Sequence, residues 1–283
     1  VPEAYGGFDF GYGGLGVVLE ETGKTLVSSP LIATVLLSAT AINELGSEEQ
    51  KQEFLPRIVA GELLFSLAID EHTTHAPSRI ETTAVKSDSG YVLDGKKTFV
   101  LDAHVADKLI VVARTSGSRD SENGISLFIV DAKSEGVNIS RTSMVDCRNA
   151  GNIEFNKVQL SELALLGSCD EAFAGLNKTL DIARIGIAAE MLGSIQQVFD
   201  LILDFLKQRE QFGVLIGSFQ GLQHRAATMY SEIELCKSSV RAALSALDNQ
   251  ESSESEIAEL ASIAKSKLSE VFFLVSNEGV QMH

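Results

Sequence analysis

The sequence has no tryptophan, only four prolines and only three cysteines in 283 residues. Cys147, Cys169 and Cys236 are too few and too scattered for a disulfide scaffold or a cysteine-based zinc site, and they point to a reducing compartment. Cations are also scarce. Lys+Arg 23 against Asp+Glu 39 leaves a formal net charge of −16, which repels a phosphate backbone and excludes nucleic acid as an expected partner. No uninterrupted apolar run reaches the roughly 18–20 residues of a membrane span, so no membrane partner is expected. Also missing are a Gly-x-Ser-x-Gly elbow, a Walker loop and a Gly-x-Gly-x-x-Gly turn between strand and helix. Their absence argues against a serine hydrolase, a nucleotide kinase and a nicotinamide enzyme. The chain opens on Val1-Pro2-Glu3 and ends on Gln281-Met282-His283, so it reads as a piece of a longer protein, and a missing targeting signal decides nothing.

With 45% hydrophobic residues the balance is that of a globular protein, and the length allows one large domain or two to three smaller ones. Three zones differ in periodicity. Residues 1–62 are helical: an apolar stretch from Leu31 to Leu45 follows Ser28-Ser29-Pro30 and stops at Gly46. Ser47-Glu48-Glu49-Gln50 then forms a Ser-x-x-Gln capping box, opening a helix with Phe54, Leu55 and Ile58 on one side and ending at Gly61. Residues 63–166 change to period two. Strands are expected at 63–69, 80–86, 90–93, 97–101, 108–114, 125–131 and 152–160, with turns at Ser89-Gly90, Asp94-Gly95 and Asn123-Gly124. Seven short strands so spaced predict an antiparallel barrel or sandwich. From 167 to 283 the period returns to 3.6, and Ile185, Ala188, Leu192, Ile195, Phe199, Ile202 and Leu206 share one stripe. A second long helix is expected over 219–247, a polar loop over 249–256 and a last helix to about residue 277. The expected class is α+β multidomain, in the order helical, β, helical.

Two clusters invite a chemical reading. Glu71-His72-Thr73-Thr74-His75 has histidines three apart with the glutamate ahead of both, after a strand. That is not the helical spacing of a zinc protease, and loop histidines are the default reading. Gly11-Tyr12-Gly13-Gly14 has no strand before it, which argues against a phosphate cradle there. Arg209-Glu210-Gln211-Phe212-Gly213, at the C-terminal end of a long amphipathic helix, joins a fork-shaped cation to an amide and an aromatic ring. An arginine there is often only a dipole partner, but a guanidinium also suits a diphosphate.

Read with its neighbours, that segment resembles the acyl-CoA dehydrogenase family. Val1-Pro2-Glu3-Ala4-Tyr5-Gly6-Gly7 is similar to the family's Pro-Glu-x-x-Gly-Gly. The run Gly46-Ser47-Glu48-Glu49-Gln50-Lys51-Gln52, with Leu55-Pro56 and Gly61-Glu62, is similar to its N-terminal signature. Tyr91-Val92-Leu93-Asp94-Gly95-Lys96-Lys97 resembles its Gly-Tyr-x-Leu-(Asn/Asp)-Gly-x-Lys hairpin. Arg209 to Gly213, followed by Phe219-Gln220, resembles its Arg-x-x-Phe-Gly motif. The resemblance implies an N-terminal helical domain, a central β-domain and a C-terminal four-helix bundle. It also implies FAD as cofactor, an acyl-CoA substrate and oxidation to the 2-enoyl-CoA. A carboxylate takes the α-proton, the β-hydride moves to the flavin, and an electron-transfer flavoprotein receives the electrons. A homo-oligomer or a paralogous partner subunit is implied, in the cytoplasm or, in a eukaryote, the mitochondrial matrix.

Carried over position by position, the resemblance places Arg209, Gln211, Phe212, Gln220 and Gln281 at the diphosphate and adenine end of an FAD held mainly by a neighbouring subunit. Leu180, Asp181 and Arg184 fall on the acyl-CoA side, and Ile69, Asp70, Phe99 and Leu101 on the isoalloxazine side. The isoalloxazine set departs from the family. Its Thr-Glu-Pro-x-Ala-Gly-Ser-Asp is Asp70-Glu71-His72-Thr73-Thr74-His75-Ala76-Pro77 here, so a carboxylate replaces a hydroxyl donor and only Glu71 survives. Its (Trp/Phe)-(Ile/Val)-(Thr/Ser) is Phe99-Val100-Leu101, so the aromatic shelf stays and a second donor is lost. The catalytic glutamate has no counterpart, and Ala183 stands at one position where some members carry it. Two readings follow: an acyl-CoA dehydrogenase with an altered flavin pocket, or a partner subunit that lends FAD contacts across an interface.

Overall fold

The computed structural model describes residues 1–146 and 148–283, so Cys147 lies outside the described residues. The chain divides into two compact units: 1–9 with 28–180, and 10–27 with 181–283.

In the first unit a wide π-helical stretch, Leu31–Ala39, runs into α2 (Thr40–Leu45). Ser38 Oγ donates to the Ala33 carbonyl five residues back at 2.7 Å. The Thr34 hydroxyl donates to the Phe65 carbonyl (2.9 Å) and accepts from its N–H (3.1 Å), tying the stretch to β1. The expected capping box opens α3 (Glu48–Val59): Ser47 Oγ accepts from Gln50 N at 3.3 Å, and Gln50 Oε1 accepts from Ser47 N at 3.1 Å. Gln50 Nε2 also donates to the Leu163 and Leu165 carbonyls (3.1 and 2.9 Å), so one residue caps a helix and anchors the end of the β-domain.

The strands are β1 (Phe65–Ala68), β2 (Thr83–Ser87), β3 (Gly90–Leu101), β4 (Lys108–Arg114), β5 (Ile125–Asp131), β6 (Val137–Thr142), β7 (Ala150–Leu160) and β8 (Leu165–Leu166). They form one eight-stranded sheet in the order β6-β7-β3-β2-β4-β5-β8, with β1 paired to β4. The sheet is mixed, not purely antiparallel as expected. β1 runs parallel to β4 from Phe65↔Lys108 to Ala68↔Val111, and β2 meets β4 in parallel at Thr83↔Arg114. Parallel neighbours need a long crossover, and the 69–82 loop with the β2–β3 hairpin supplies it. β4 and β5 stay in register from Lys108↔Asp131 to Arg114↔Ile125. Alternation along β4 splits the core: Ile110 and Val112 pack with Phe54, Phe65 and Leu67, whereas Leu109, Val111 and Ala113 pack with Leu93, Phe128 and Phe155.

Two strand expectations need correction. Residues 90–101 form one strand, because Asp94-Gly95 is an irregularity in the β3–β7 register and not a turn. Gly95 sits at φ +145°, where a Cβ would lie 2.6 Å from Thr82 Oγ1. β6 was not anticipated. Its Val-Asn-Ile-Ser-Arg-Thr sequence is polar and at least partly exposed throughout, as an edge strand allows.

The second unit holds α1 (Gly11–Lys24), the later part of α4 (Phe173–Gln208), α5 (Gln220–Asp248) and α6 (Glu254–Met282). Every residue of the expected stripe, from Ile185 to Leu206, is buried. α1 and α4 touch through glycines: a Cβ on Gly23 would lie 2.0 Å from the Glu190 carbonyl oxygen, and one on Gly193 1.8 Å from that of Glu20. The Gly11-Tyr12-Gly13-Gly14 segment is the N-terminus of α1, and its anion is internal. Asp248, ending α5, accepts from Tyr12 N and Gly13 N at 2.6 and 2.8 Å. α4 as a whole has the length and mean apolarity of a membrane span, but 56% of its most apolar window is buried inside the protein, as in a core helix.

Candidate functional site

In the first unit the isoalloxazine-side positions gather where β1 ends against a bulge in β3. The β3–β7 register shifts between Lys97 and Val100. Phe99, inside the shift, is held at φ +52°, is 55% exposed, and donates its N–H to Asn152 Oδ1 at 3.0 Å. A bulky residue in the left-handed region is strained, and a strained aromatic ring facing solvent has no packing reward to offset the cost. Leu101 is half-buried and offers only an alkyl group. Ile69 is buried in the core. The backbone carbonyl of Asp70 accepts from Thr98 N at 2.7 Å, fastening β1 to the bulge.

The side chains of the following loop pair off. Asp70 accepts from His75 Nδ1 at 2.9 and 3.1 Å, one distance to each oxygen, and from Ala76 N at 3.3 Å. Glu71 and Lys97 form a buried ion pair of 2.8 Å with side chains 1% and 0% exposed. Glu71 also accepts from Glu81 N (2.6 Å) and Thr82 N (2.9 Å), and Lys97 also donates to the Ile69 carbonyl (2.8 Å). Burial pushes the Lys97 ammonium down to about 8, against the pull of Glu71. Burial also opposes the charge on Glu71, but the Lys97 charge and the Lys97 and Thr82 hydrogen bonds outweigh it and hold its carboxyl below the usual range. Arg114 donates to the carbonyls of Ser78, Ile80, Arg119 and Asn123, clasping the loop from beneath.

Glu71, His72 and Glu81 bring ligand atoms within 4.8 Å of one another. Both Glu71 oxygens are already taken by Lys97 and by backbone N–H groups, so the donor set does not suit a cation. His72 faces Glu81 at 3.5 Å, and Glu81 pairs with Arg119 at 2.7 Å. A cleft of about 470 Å³ beside Gly95 carries the carboxylates of Glu71, Glu81, Asp94 and Glu154, a poor setting for a diphosphate.

In the second unit the chain leaves α4 through a short hairpin, β9 (Glu210–Gln211) with β10 (Val214–Leu215). Its two-residue turn has positive φ at both positions, Phe212 at +56° and Gly213 at +80°. Such a turn prefers Asn-Gly; here it holds Phe212 92% exposed, in edge contact with Phe219 at 6.3 Å. Arg209 and Gln211 are exposed beside it, and the Arg209 guanidinium has no partner among the described residues. Gln220 is the exposed first residue of α5, and Gln281 lies exposed in the last turn of α6. Two contacts bring these helix ends together: His283 stacks on Phe205 at 4.5 Å, and Arg225 pairs with Glu278 at 2.7 Å. In the first third of α4, Asp181 pairs with Arg184 at 2.5 Å, Ala183 is buried, and Leu180 belongs to the core of the first unit.

The sequence matches the acyl-CoA dehydrogenase N-terminal domain over residues 1–62, the middle domain over 70–158 and the C-terminal domain over 173–283. The chain belongs to the acyl-CoA dehydrogenase family. FAD is the cofactor of this family. Among curated relatives, the chain is 32% identical over 243 residues to the caffeyl-CoA reductase–Etf complex subunit of Acetobacterium woodii, a match covering 84% of this chain and 62% of that protein. Among solved structures it is similar to butyryl-CoA dehydrogenase from Megasphaera elsdenii, with a TM-score of 0.91, 29% identity, and coverage of 99% of this chain and 75% of that one. It is also similar to a steroid ACAD named for a pair of gene products, with a TM-score of 0.86, 32% identity, and coverage of 100% and 73%.

Set against FAD, the two units differ. Arg209, Gln211, Gln220 and Gln281 present an unpaired guanidinium and three amides at one end of the second unit, a donor set that suits a diphosphate and an adenine. The Phe99 ring offers a flat apolar face. At the flavin edge the side chains fit less well, since the Asp70 carboxylate can only accept and Leu101 does neither. Two residues there were not singled out from the sequence: Lys97, the partner of the one surviving loop residue, and Asn152, which holds the Phe99 N–H; His75 was singled out as a loop histidine, and its partner proves to be Asp70. The lysine was within the quoted strand motif, but a charged strand residue reads as solvent-facing until its partner is known.

Proposed function

We propose that the protein carries out FAD-dependent α,β-dehydrogenation of an acyl-CoA thioester to the 2-enoyl-CoA. The observation that carries this reading is the pair of strained, solvent-facing phenylalanines, Phe99 and Phe212, each at a position the family uses for FAD. When bound, FAD supplies the hydride acceptor. The chain's own residues do the rest. Phe99 forms an apolar face for the ring system, and Arg209, Gln211, Phe212, Gln220 and Gln281 of a neighbouring copy hold the diphosphate and adenine end. Asp181 fixes the Arg184 guanidinium, so that the pair positions the thioester and pantetheine portion without moving a proton. An electron-transfer flavoprotein receives the electrons, in keeping with the relative named as a subunit of a reductase–Etf complex. Ala183 carries no base, so the carboxylate that takes the α-proton lies elsewhere in the whole protein.

A second reading rests on Asp70 and Leu101: a subunit with weak flavin affinity of its own, lending the Arg209 group to a paralogue. The paired naming of the steroid relative supports it. One experiment separates the two. The full-length protein is purified alone, its flavin content measured, and a series of acyl-CoA thioesters added without oxygen. Stoichiometric flavin bleached by a thioester supports the dehydrogenase. Flavin that is lost alone, retained in the Asp70→Thr/Leu101→Thr variant and retained by the unmodified chain only with a paralogue supports the lending subunit. Stoichiometric flavin that no thioester bleaches refutes the first reading.

A further inference from the structure

The bulge in β3 lies between the pairs Lys97↔Ile153 and Val100↔Gly151, so two residues of β3, Thr98 and Phe99, stand opposite one residue of β7, Asn152. A bulge of this kind takes backbone groups out of the ladder. Both N–H groups of the bulge find a partner outside it. Thr98 N donates to the Asp70 carbonyl at 2.7 Å, and Phe99 N donates to the side-chain oxygen of Asn152, Oδ1, at 3.0 Å.

The two bonds differ in kind. The first joins backbone to backbone beside the buried Lys97 ammonium, which reaches the Ile69 carbonyl and Glu71 at 2.8 Å each, so that side of the bulge belongs to the core of the fold. The second comes from an exposed row. Asn152, Glu154 and Asn156 are exposed along β7, while Ile153 and Phe155 between them are buried. Phe99 itself sits at φ +52° and is 55% exposed, so burial does not hold it in the left-handed region. Such a conformation persists only where the surroundings impose it. On the β7 side, the Asn152 amide oxygen is the group that does so.

We propose that Asn152 is a positioning residue for the flavin: its amide oxygen keeps Phe99 left-handed and so keeps the aromatic ring in place as a face for the isoalloxazine. The inference rests on the reading that Phe99 flanks the isoalloxazine. Asn152 acts through that ring. With the acceptor gone, Phe99 relaxes toward an extended conformation, where side-chain direction follows the alternation of the strand, and the ring leaves its place while β3 and β7 stay paired on either side.

The test is a double-mutant cycle read by binding titrations of the full-length, flavin-stripped protein with FAD and, separately, with ADP, which lacks the ring system. Asn152→Ala removes the acceptor at an exposed site, and Asn152→Leu does the same with a side chain of similar size. Circular dichroism verifies that each variant is folded, and either one alone is decisive if the other is not. Each should bind FAD about fivefold more weakly, the scale of one net hydrogen bond, and ADP as before. Phe99→Ala should also weaken FAD, and adding Asn152→Ala to it should weaken FAD no further. Unchanged FAD affinity in Asn152→Ala where Phe99→Ala lowers it, or the full loss persisting in the Phe99→Ala background, overturns the role of Asn152 and leaves the flavin reading intact. FAD and ADP weakened together overturn it too, since that marks a merely structural residue. Phe99→Ala with unchanged FAD affinity overturns the reading of Phe99 on which the inference rests.

Discussion

Replacing Lys97 by methionine keeps the length and apolar stem of the side chain and deletes only its charge and donors. In the folded protein those donors reach Glu71 Oε1 and the Ile69 carbonyl, both at 2.8 Å, from a side chain with no exposed surface. The variant therefore strands a buried carboxylate and leaves a buried carbonyl one hydrogen bond short. Breaking a buried pair from one side costs about 3–5 kcal/mol, a large share of the roughly 5–15 kcal/mol that holds a domain together. Urea denaturation followed by circular dichroism measures it. The companion variant Lys97→Met/Glu71→Gln removes the stranded charge yet keeps an amide oxygen for one of the Glu81 and Thr82 N–H groups, and it should recover about 2 kcal/mol or more. The pH dependence has a definite sign. Glu71 is held below its ordinary value, so its contribution is present above that value and is lost as pH falls through its depressed folded pKa. In Lys97→Met burial acts on Glu71 opposed only by its hydrogen bonds from Thr82 and Glu81, so its carboxyl moves up and the deficit against the unmodified protein should narrow in acid. Lys97 itself sits near 8 when folded and 10.5 when not. The unfolded chain binds more protons between those values, so the unmodified protein gains stability with rising pH there and the variant does not. A Lys97→Met protein within about 1 kcal/mol of the original, or a double variant no better than the single one, would refute the reasoning.

Two further predictions concern the second unit. Arg184→Ala should raise the dissociation constant for an acyl-CoA about tenfold or more, consistent with loss of a charged hydrogen-bond donor, while flavin content is unchanged; lost flavin with unchanged acyl-CoA affinity would show that the Asp181–Arg184 pair has been misassigned. Phe212→Asn supplies the residue that the turn geometry prefers and should stabilise the fold by about 1 kcal/mol in thermal denaturation. It should also weaken FAD retention and the association measured by light scattering, whereas equal retention would remove Phe212 from the cofactor's neighbourhood.

The local signals in the sequence were sufficient wherever structure depends on near neighbours. Ser47 and Gln50 cap each other within one turn, so the box could be read from four residues. The Ile185–Leu206 stripe is set by helical periodicity, and β4 and β5 show a continuous apolar run because both of their faces are covered. The resemblance implied flavin-side and diphosphate-side positions and marked Asp70 and Leu101 as departures from the family pattern, since these are matters of residue identity. What only the tertiary structure decided is which distant groups meet. Lys97 and Glu71 are 26 residues apart, and nothing in either strand or loop pattern announces that the ammonium is buried and paired. The 70–77 loop reads as a string of loose polar residues until folding pairs Asp70 with His75 and His72 with Glu81. Asp94-Gly95 has the composition of a turn, but continuous pairing of β3 with β7 makes it a bulge. α1 stands near the start of the chain, yet it belongs with α4–α6 because its glycines permit close helix contact and Asp248, 236 residues after Tyr12, supplies the carboxylate that its first N–H groups lack. Periodicity records which side of an element is buried; it carries no information about what lies on the other side of the contact, and charge pairing, strain and site geometry all depend on that second partner.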